Sequence, residues 1–497
     1  MSLYNEKDID LLRQNADNIK NALEKIKMEK GDPTHEQLKS AHELIKKYCI
    51  EKERKIYGGY SLNLLVMNKN PKYAFYKETD IPDIDIYSYE PINDMYAICN
   101  ILYNAKFKYI YGQEAQHKET YKIKFGDEPL CDLSYVPKNI YNRIPFVKVQ
   151  NLYCTDPHFM MIDYLRMLSN PMDSYWRFFD CTQNLKAFNR MFLLQKIFPF
   201  RENNAELVLD KPNPKLEAIK KSIYQYLLNK KTIVLVGFYA YNYFCTKTEY
   251  EPVPIPFYEF ISVNYCVDAQ DLIDKLKLET PTLNYKEYYP FYQFTDYSTR
   301  IYIDDDLICC IYNHNKRCIP YQDVSAINFH DDKNTEDNIR IGSFTTILLY
   351  LLINAQQQHI NKNIELKNLY FQMFSHCIQM RNEYLAKKKK NFLDETIFRE
   401  FILDCVGEEI TAEKEFRIRI EHRKQKKKPL IFRYNPSDAY IETPPKYIFS
   451  NSSGNTVNNP RDLKLYNNNT SCEEVDEEEN IAENKKDEIN EINENSI

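Results

Sequence analysis

Asp83 and Asp85 stand two residues apart in DIPDIDIYS, and Asp132 follows in LCDLSY. In an extended strand, residues i and i+2 point the same way, so Asp83 and Asp85 share a face. Two carboxylates on one face repel each other unless a cation lies between them. Their oxygen donors suit a hard divalent ion such as Mg²⁺. Asp132, on a neighbouring strand, would complete a site for two ions, one activating an attacking hydroxyl and the other steadying a leaving phosphate. Gly58-Gly59 follows the apolar stretch KIY and precedes a helical pattern, which allows close backbone approach and aims free N–H groups at phosphate oxygens. Ser61 can add a hydroxyl to the same phosphates. Together these parts suit in-line attack on the α-phosphate of a nucleoside triphosphate.

Taken singly, the pieces say less. Gly-Gly after a strand is common, and D-I-D equally fits the exposed polar face of a surface strand. The order of the three pieces carries the inference. Asp80 is read as a loop residue, not a ligand.

The elements that must position these residues follow from periodicity. Residues 55–57 form a short strand that Gly58-Gly59 breaks, and 60–67 are helical. Ile84 and Ile86 alternate with Asp83 and Asp85, the period of a half-buried strand. Residues 92–105 read as a helix, and 121–125 with 130–135 as a hairpin around Gly126-Asp127-Glu128-Pro129. Ahead of them, Ile9, Leu12, Ala16, Ile19, Leu23 and Ile26 alternate spacings of three and four, one apolar stripe on a helix. Asp32-Pro33-Thr34 restarts a second helix through Leu38, Ala41, Ile45 and Tyr48. A hairpin packing on the next domain is expected, with self-association through the stripe as the alternative.

Length and composition bound the rest. At 497 residues with 43% apolar content the chain holds two or three domains. No apolar run is long enough to span a membrane, and the polar start is not a signal peptide. Thirteen scattered cysteines without C-x-x-C or zinc spacing predict reduced thiols. The net charge is −6; residues 471–497 carry 11 acids and 2 bases, a net of −9, so the remainder is −6 − (−9) = +3. An acidic, Asn- and Ser-rich tail should be disordered.

A second unit repeats the first. Adding 178 to the numbering without gaps sets Gly59 on Gly237 and YKIKFGDEPLCDLSY on TRIYIDDDLICCIYN. In that frame Asp83, Asp85 and Asp132 fall on Ile261, Val263 and Cys310, so the second unit keeps the fold without the acids. The expected organisation is a helical hairpin (1–50), a catalytic unit with its following helices (51–210), a degenerate second copy (216–430) and a disordered acidic tail (446–497).

The ordered set resembles the nucleotidyltransferase superfamily of DNA polymerase β: an apolar residue with Gly-[Gly/Ser], then Asp-h-[Asp/Glu]-h, then a later third acid. GGYSLNLL, DIDIYS, CDLSYVP and the DYLRML…WR segment are similar to the catalytic subunit of the poly(A) polymerases of poxviruses and giant cytoplasmic DNA viruses, the mimivirus-like branch above all. The heavy use of Lys, Ile, Asn and Tyr, which fits an A+T-rich coding sequence, agrees. The resemblance is specific over about residues 50–200 and looser to about 430. One departure is a gap from Gly59 to Asp83 longer than usual, which makes the loop over 68–80 bulge.

The resemblance implies an α+β fold, a mixed sheet with helices plus a degenerate second nucleotidyltransferase-like domain. It implies template-independent addition of AMP from ATP to the 3′ end of viral mRNA, with Mg²⁺ or Mn²⁺ held by Asp83, Asp85 and Asp132. Gly58, Gly59 and Ser61 would hold the triphosphate, with Asn63 a weaker nucleotide contact. Arg177, Lys186 and Arg190 could face phosphates, although a solvated helix face explains each as well. Lys387, Lys388, Lys389 and Lys390, with Lys426 and Lys427, are the electrostatic candidates for RNA. Expected partners are a second copy, making a homodimer, or a viral processivity subunit, with no membrane. The expected setting is the viral factory in the host cytoplasm, with packaging in the virion a further expectation. The rival readings are uridylyl, CCA or oligoadenylate transfer, and a non-catalytic RNA-binding scaffold.

Overall fold

The computed structural model describes residues 3–30, 33–77, 79–170, 174, 185–200, 214–330, 337–402 and 404–438. The acidic tail, Arg177 and the stretch before residue 214 lie outside the described residues. Two helices open the chain, α1 (Glu6–Lys30) and α2 (His35–Glu51). A first series follows: β1 (Lys55–Tyr57), α3 (Gly58–Lys69), β2 (Ile84–Ser88), α4 (Pro91–Asn104), β3 (Ile110–Glu114), β4 (Thr120–Phe125), β5 (Glu128–Tyr135), α5 (Lys138–Tyr141), β6 (Phe146–Val149), β7 (Leu152–Thr155), α6 (Pro157–Ser169) and α7 (Lys186–Ile197). A second series runs α8 (Pro214–Leu227), β8 (Ile233–Val236), α9 (Gly237–Lys247), β9 (Tyr258–Ser262), α10 (Tyr265–Glu279), β10 (Leu283–Tyr288), β11 (Ser298–Ile303), β12 (Asp306–Asn313), β13 (Ile319–Ser325), β14 (Asn338–Gly342), α11 (Phe344–Ile360) and α12 (Ile364–Lys388). The last described elements are β15 (Cys405–Val406), α13 (Ala412–Gln425) and β16 (Arg433–Tyr434).

Each series builds one mixed sheet. The orders are β16-β3-β4-β5-β2-β1-β7-β6 and β10-β11-β12-β9-β8-β14-β13-β15. Without the added β16 and β15 the two orders are the same. Each neighbouring pair also keeps its sense: β2 runs parallel to β5 as β9 does to β12, and β1 parallel to β7 as β8 does to β14, while the other pairs are antiparallel. Smaller details repeat as well. The ladder shifts register after Ile123 and after Ile301, and the hairpin turns place Gly126 and Asp304 at positive φ. Ser88 donates to Asp94 while accepting from the Glu90 amide, and Ser262 does the same with Asp268 and the Asn264 amide. A tyrosine on the preceding helix, Tyr48 or Tyr226, donates to the same aspartate.

Local chemistry explains the elements that frame the site. Ile84, Ile86 and Tyr87 on β2 and Leu130, Cys131 and Leu133 on β5 are buried, while Asp85 and Asp132 between them reach the less buried face. Helix α2 starts on a capping box between Thr34 and Gln37 and buries Ala41, Ile45, Tyr48 and Cys49. Helix α1 departs from the expected hairpin, since it buries none of its residues. Its stripe is real, but no other described element buries it.

The two sheets meet through α6 and α11 and through aromatic contacts. Tyr292 stands edge-on to Tyr87, and Phe294 edge-on to Phe159. Residues 412–434 return to the first sheet. Arg423 forms a two-pronged pair with Glu114 on β3, β16 pairs with β3, and the Tyr434 ring stacks on Tyr96 with centroids 3.8 Å apart. The expectation of reduced thiols fails at one place: Cys318 and Cys405 form a disulfide with Cα atoms 5.3 Å apart. The short β13–β15 ladder sets Pro320 against Cys405 and so brings together cysteines 87 residues apart, a pairing that spacing cannot reveal. Nine other described cysteines are free thiols.

Candidate catalytic site

Strand β1 leads into Gly58, whose φ of +69° turns the chain directly into α3. A side chain there would be strained, and its Cβ would sit 1.9 Å from Asp85 Oδ2. The register explains the closeness, since Tyr57 is the partner of Asp85 across the β1–β2 ladder. On the other side of β2, Asp85 is paired with Asp132 on β5. Asp83 precedes β2 on the same face. Each of the three offers a carboxylate oxygen within 4.8 Å of the other two, the one such group of possible metal ligands among the described residues.

The electrostatics are those of a cluster short of positive charge. The Asp85 carboxyl is pushed well above the usual carboxylate range by burial, then by Asp83 and Asp132, with Arg190 and Lys122 opposing. Burial also raises Asp132, opposed chiefly by Lys122, whose Nζ lies 2.8 Å from Asp132 Oδ2. The other oxygen, Oδ1, is buried without a hydrogen-bond partner among the described residues. Three crowded carboxylates with an orphaned oxygen fit a divalent cation, which would relieve the repulsion and satisfy the oxygen.

Beside the carboxylates lies an uncapped helix start that could take an anion. No side chain caps the start of α3. Above Gly59, Arg190 of α7 donates to the Tyr76 hydroxyl at 2.9 Å, with its guanidinium carbon 5.2 Å from the Phe75 ring centroid. A Cβ on Gly59 would lie 2.7 Å from Arg190 Nη2 and 2.6 Å from Tyr76 Oη. Asn63 is buried, and its side-chain oxygen accepts from the amides of Phe75 at 2.9 Å and Tyr76 at 3.2 Å. It therefore pins the loop that carries Tyr76. Ser61 is also buried, with its hydroxyl beside the Cys154 thiol.

The structure thus gathers Asp83, Asp85, Asp132, Gly58 and Gly59 in one place and sets Ser61 and Asn63 beneath them. The lysines lie elsewhere. Lys387 and Lys388 close α12 in the second unit, Lys387 pairing with Glu249 at 2.7 Å, and Lys389 and Lys390 follow as its exposed cap. Lys426 and Lys427 follow α13 at the β3 edge of the first sheet, and Lys186 is exposed at the start of α7.

Arg190, Tyr76 and Lys122 are the residues that motif reading undervalued. Two of the three carry a signal in the sequence, and Tyr76 carries none. Arg190 shares the inward phase of Ala187, Met191 and Leu194, and hairpin register sets Lys122 opposite Asp132.

The second unit shows the same corner without the cluster, and the ungapped alignment is corrected at the turn and on the acid strand: Gly237 is the counterpart of Gly58, not of Gly59, and Asp85 does not fall on Val263. Gly237, at φ +60°, would bring a Cβ within 1.9 Å of Glu259 Oε2, as Gly58 would with Asp85. Glu259 is paired with Val236 and Cys310, as Asp85 is with Tyr57 and Asp132. The structural counterparts of Asp85 and Asp132 are therefore Glu259 and Cys310, so one acid survives. Ten residues separate α9 from β9 where fourteen separate α3 from β2, a difference of four that a constant offset cannot follow. Glu259 is fully buried; its Oε1 accepts from Asn354 at 2.7 Å, Tyr370 at 3.1 Å and Tyr312 at 3.2 Å, which tie α11 and α12 to the sheet.

A mixed sheet with two aspartates at one strand, a third on its parallel neighbour and a strand–Gly-Gly–helix turn beside them defines a nucleotidyltransferase of the DNA polymerase β type. Comparison with known proteins narrows the class. The family described as "Poly(A) polymerase catalytic subunit" matches residues 43–174, and "APMV, Putative poly(A) polymerase, catalytic subunit, C-terminal" matches 193–467. A relative from Acanthamoeba polyphaga mimivirus, named "Putative poly(A) polymerase catalytic subunit", is 32% identical over 488 residues, 90% of this chain and 82% of its own. The African swine fever virus (strain Badajoz 1971 Vero-adapted) protein of the same name is 28% identical over 33% of this chain and 34% of its own. The crystal structure of the Megavirus polyadenylate synthase superposes with a TM-score of 0.80 at 29% identity, over 93% of both chains. The chain belongs to the poly(A) polymerase catalytic subunit family of giant viruses, and is a polynucleotide adenylyltransferase.

Proposed function

We propose that this chain extends the 3′ ends of viral mRNA with AMP from ATP, without a template, at the site between β2, β5 and α3. The convergence of Asp83, Asp85 and Asp132 within 4.8 Å beside the Gly58-Gly59 turn supports this reading most directly. In the reaction the RNA 3′-hydroxyl oxygen bonds to the α-phosphorus of ATP, the α–β bridging bond breaks, and pyrophosphate leaves. Asp83, Asp85 and Asp132 would hold Mg²⁺ or Mn²⁺, which when bound neutralises the triphosphate and favours ionisation of the attacking hydroxyl.

The protein's own groups have separable tasks. Gly58 lets Asp85 stand against the start of α3. Gly59 leaves room over that helix start for the triphosphate, next to the Arg190 guanidinium. Tyr76 and Phe75 hold Arg190 in place, and Asn63 fixes their loop. Lys122 keeps Asp132 oriented toward the cluster. Residues 51–210 serve as the catalytic unit and 216–430 as its degenerate copy. Lys387 to Lys390 and the Lys426-Lys427 pair would draw RNA electrostatically. No helix among the described residues is long and apolar enough to cross a membrane, and the expected setting is the viral factory in the host cytoplasm.

The test is extension of a short RNA with each triphosphate in turn, with and without divalent metal. ATP-only, metal-dependent extension is expected. Extension by UTP or CTP would favour a related transferase, and no extension a scaffold. Asp83→Ala should lower the rate by about 10²- to 10³-fold, a loss of several kcal/mol of transition-state stabilisation. Unchanged activity in that variant would refute the assignment.

A further inference from the structure

We propose that single-stranded RNA reaches the aspartates along the open face of the first sheet, over a row of side chains that ends on Arg433 of β16. The inference rests on the reading of the chain as an RNA-extending transferase and adds where the acceptor strand lies. Strand pairing defines the row. Asp85 on β2 is in register with Asp132 on β5, Asp132 with Lys122 on β4, Lys122 with Gln113 on β3, and Gln113 with Arg433 on β16. Partners in register stand on the same face of a sheet. Lys124 and Tyr111, paired with each other, lie one step along on that face. Three strand steps of about 4.8 Å put Arg433 about 14 Å from Asp132, within reach of the last few nucleotides before a 3′ end.

This face is open where the opposite one is closed. Ile110, Gly112 and Glu114 on β3 and Tyr121, Ile123 and Phe125 on β4 are buried, with Met95 of α4 against Gly112. Tyr111, Gln113, Lys122 and Lys124 are half-buried, and Arg433 is exposed. Their chemistry suits a single strand. Lys122, Lys124 and Arg433 are cations, and no acid stands between Asp132 and Arg433 in the row. Lys122 is paired with Asp132, but neither Lys124 nor Arg433 forms an ion pair among the described residues. Arg433 lies instead over the Tyr111 ring, its guanidinium carbon 4.0 Å from the centroid. A guanidinium on a ring makes a flat platform on which a base can stack, and its charge meets the phosphates beside it. The exposed run from Lys426 to Lys428 leads into β16 and brings further positive charge to the same edge of the sheet.

The second unit supplies the comparison. There the row reads Glu259, Cys310, Arg300 and Lys286. It stops at β10, the edge of that sheet, and no strand among the described residues takes the place of β16. Arg300, the counterpart of Lys122, donates to Gln357 of α11 at 3.1 Å, so a helix lies against that row. The sheet that keeps the acids is the one with an open row and an added strand that extends it with a cation.

The test uses the full chain and a short fluorescent oligoadenylate, with Kd measured in the absence of ATP. Tyr111→Leu should weaken binding at least about fivefold, the loss of one base–aromatic stack. Arg433→Gln combined with Lys124→Gln should lower the slope of log Kd against log salt by about 1.4, the share of two single-strand phosphate contacts. In AMP addition the same variants should raise KM for the primer and leave KM for ATP unchanged. Lys286→Gln, at the edge of the second sheet, should alter neither affinity nor slope. All four side chains are at least partly exposed, and thermal unfolding checks that the variants are folded. Wild-type affinity and slope in the first-unit variants, or an equal loss in Lys286→Gln, would overturn the proposal. Because affinity is read without turnover, a chain that adds no AMP would refute the proposed reaction while these affinities still decide the RNA track.

Discussion

Gly58→Ala and Gly237→Ala form a matched pair. Both glycines sit at positive φ, +69° and +60°, at the same strand-to-helix turn, and in both a Cβ would lie 1.9 Å from a carboxylate oxygen. The backbone penalty should therefore be about equal, roughly 1–2 kcal/mol each. The contact demands more. A carbon and an oxygen rest at about 3.4 Å or beyond, so the carboxylate must move by about 1.5 Å in either variant. In the second unit this disturbs the bonds from Asn354, Tyr312 and Tyr370 to Glu259 and nothing that reacts. In the first it displaces Asp85 from Asp83 and Asp132. A misplacement of about 1 Å at a reacting centre is worth about 100-fold in rate. Gly58→Ala should accordingly lose about 100-fold or more in kcat for ATP-dependent RNA extension, while Gly237→Ala stays within a few-fold of wild type below its melting temperature. Thermal unfolding of both variants supplies the control for stability. Wild-type kcat in Gly58→Ala, or an equal kcat loss in Gly237→Ala at matched folded fraction, would refute the reasoning.

Two further outcomes follow from other parts of the molecule. Burial holds the Glu259 carboxyl up at about 7 against an ordinary 4.5, so its contribution to stability is complete below about 4.5 and lost as pH rises to about 7. At about 1.4 kcal/mol per pH unit the loss amounts to about 3 kcal/mol. Glu259→Gln should thus gain about that much on wild type between pH 4.5 and 8 in urea unfolding, and parallel pH profiles would rule it out. Arg190→Ala removes a cation from the α3 corner; a charged hydrogen bond is worth about 1.5–3 kcal/mol, or roughly 10- to 150-fold in KM for ATP, with kcat affected less. Arg190→Lys should recover part of it, and an unchanged KM would show that the guanidinium does not meet the triphosphate.

The first unit was legible where its physics is local. The alternation around Ile84 and Ile86, the Gly126 turn and the break at Gly58 each specify an element within a few residues, and β2, the β4–β5 hairpin and α3 follow. The resemblance then singled out Asp83, Asp85 and Asp132, which the structure brings together. What sequence could not supply depends on distance along the chain. Glu259 escaped because a loop four residues shorter shifts β9 against any fixed offset. Arg190 looked like an ordinary helix cation because its neighbours, Tyr76 and Gly59, lie more than a hundred residues away. The two-residue strands β15 and β16 have no periodicity to detect, and with β15 went the Cys318–Cys405 pairing. Helices α1 and α2 carry the same stripe, yet among the described residues only α2 buries it, and the pattern does not tell the two apart.

The pairing of β16 with β3 sets an order on the making of the protein. When the ribosome has released β3, the strand that completes its edge is about 320 residues from being made, roughly 15–60 seconds at about 5–20 residues per second. Through that interval the edge of β3 is an open template for other strands, and Glu114 waits for Arg423. The whole second unit is built in the meantime. The sheet that carries the aspartates is the first to be synthesised and the last to be finished, so a chain cut short before residue 433 leaves that sheet with an uncovered edge.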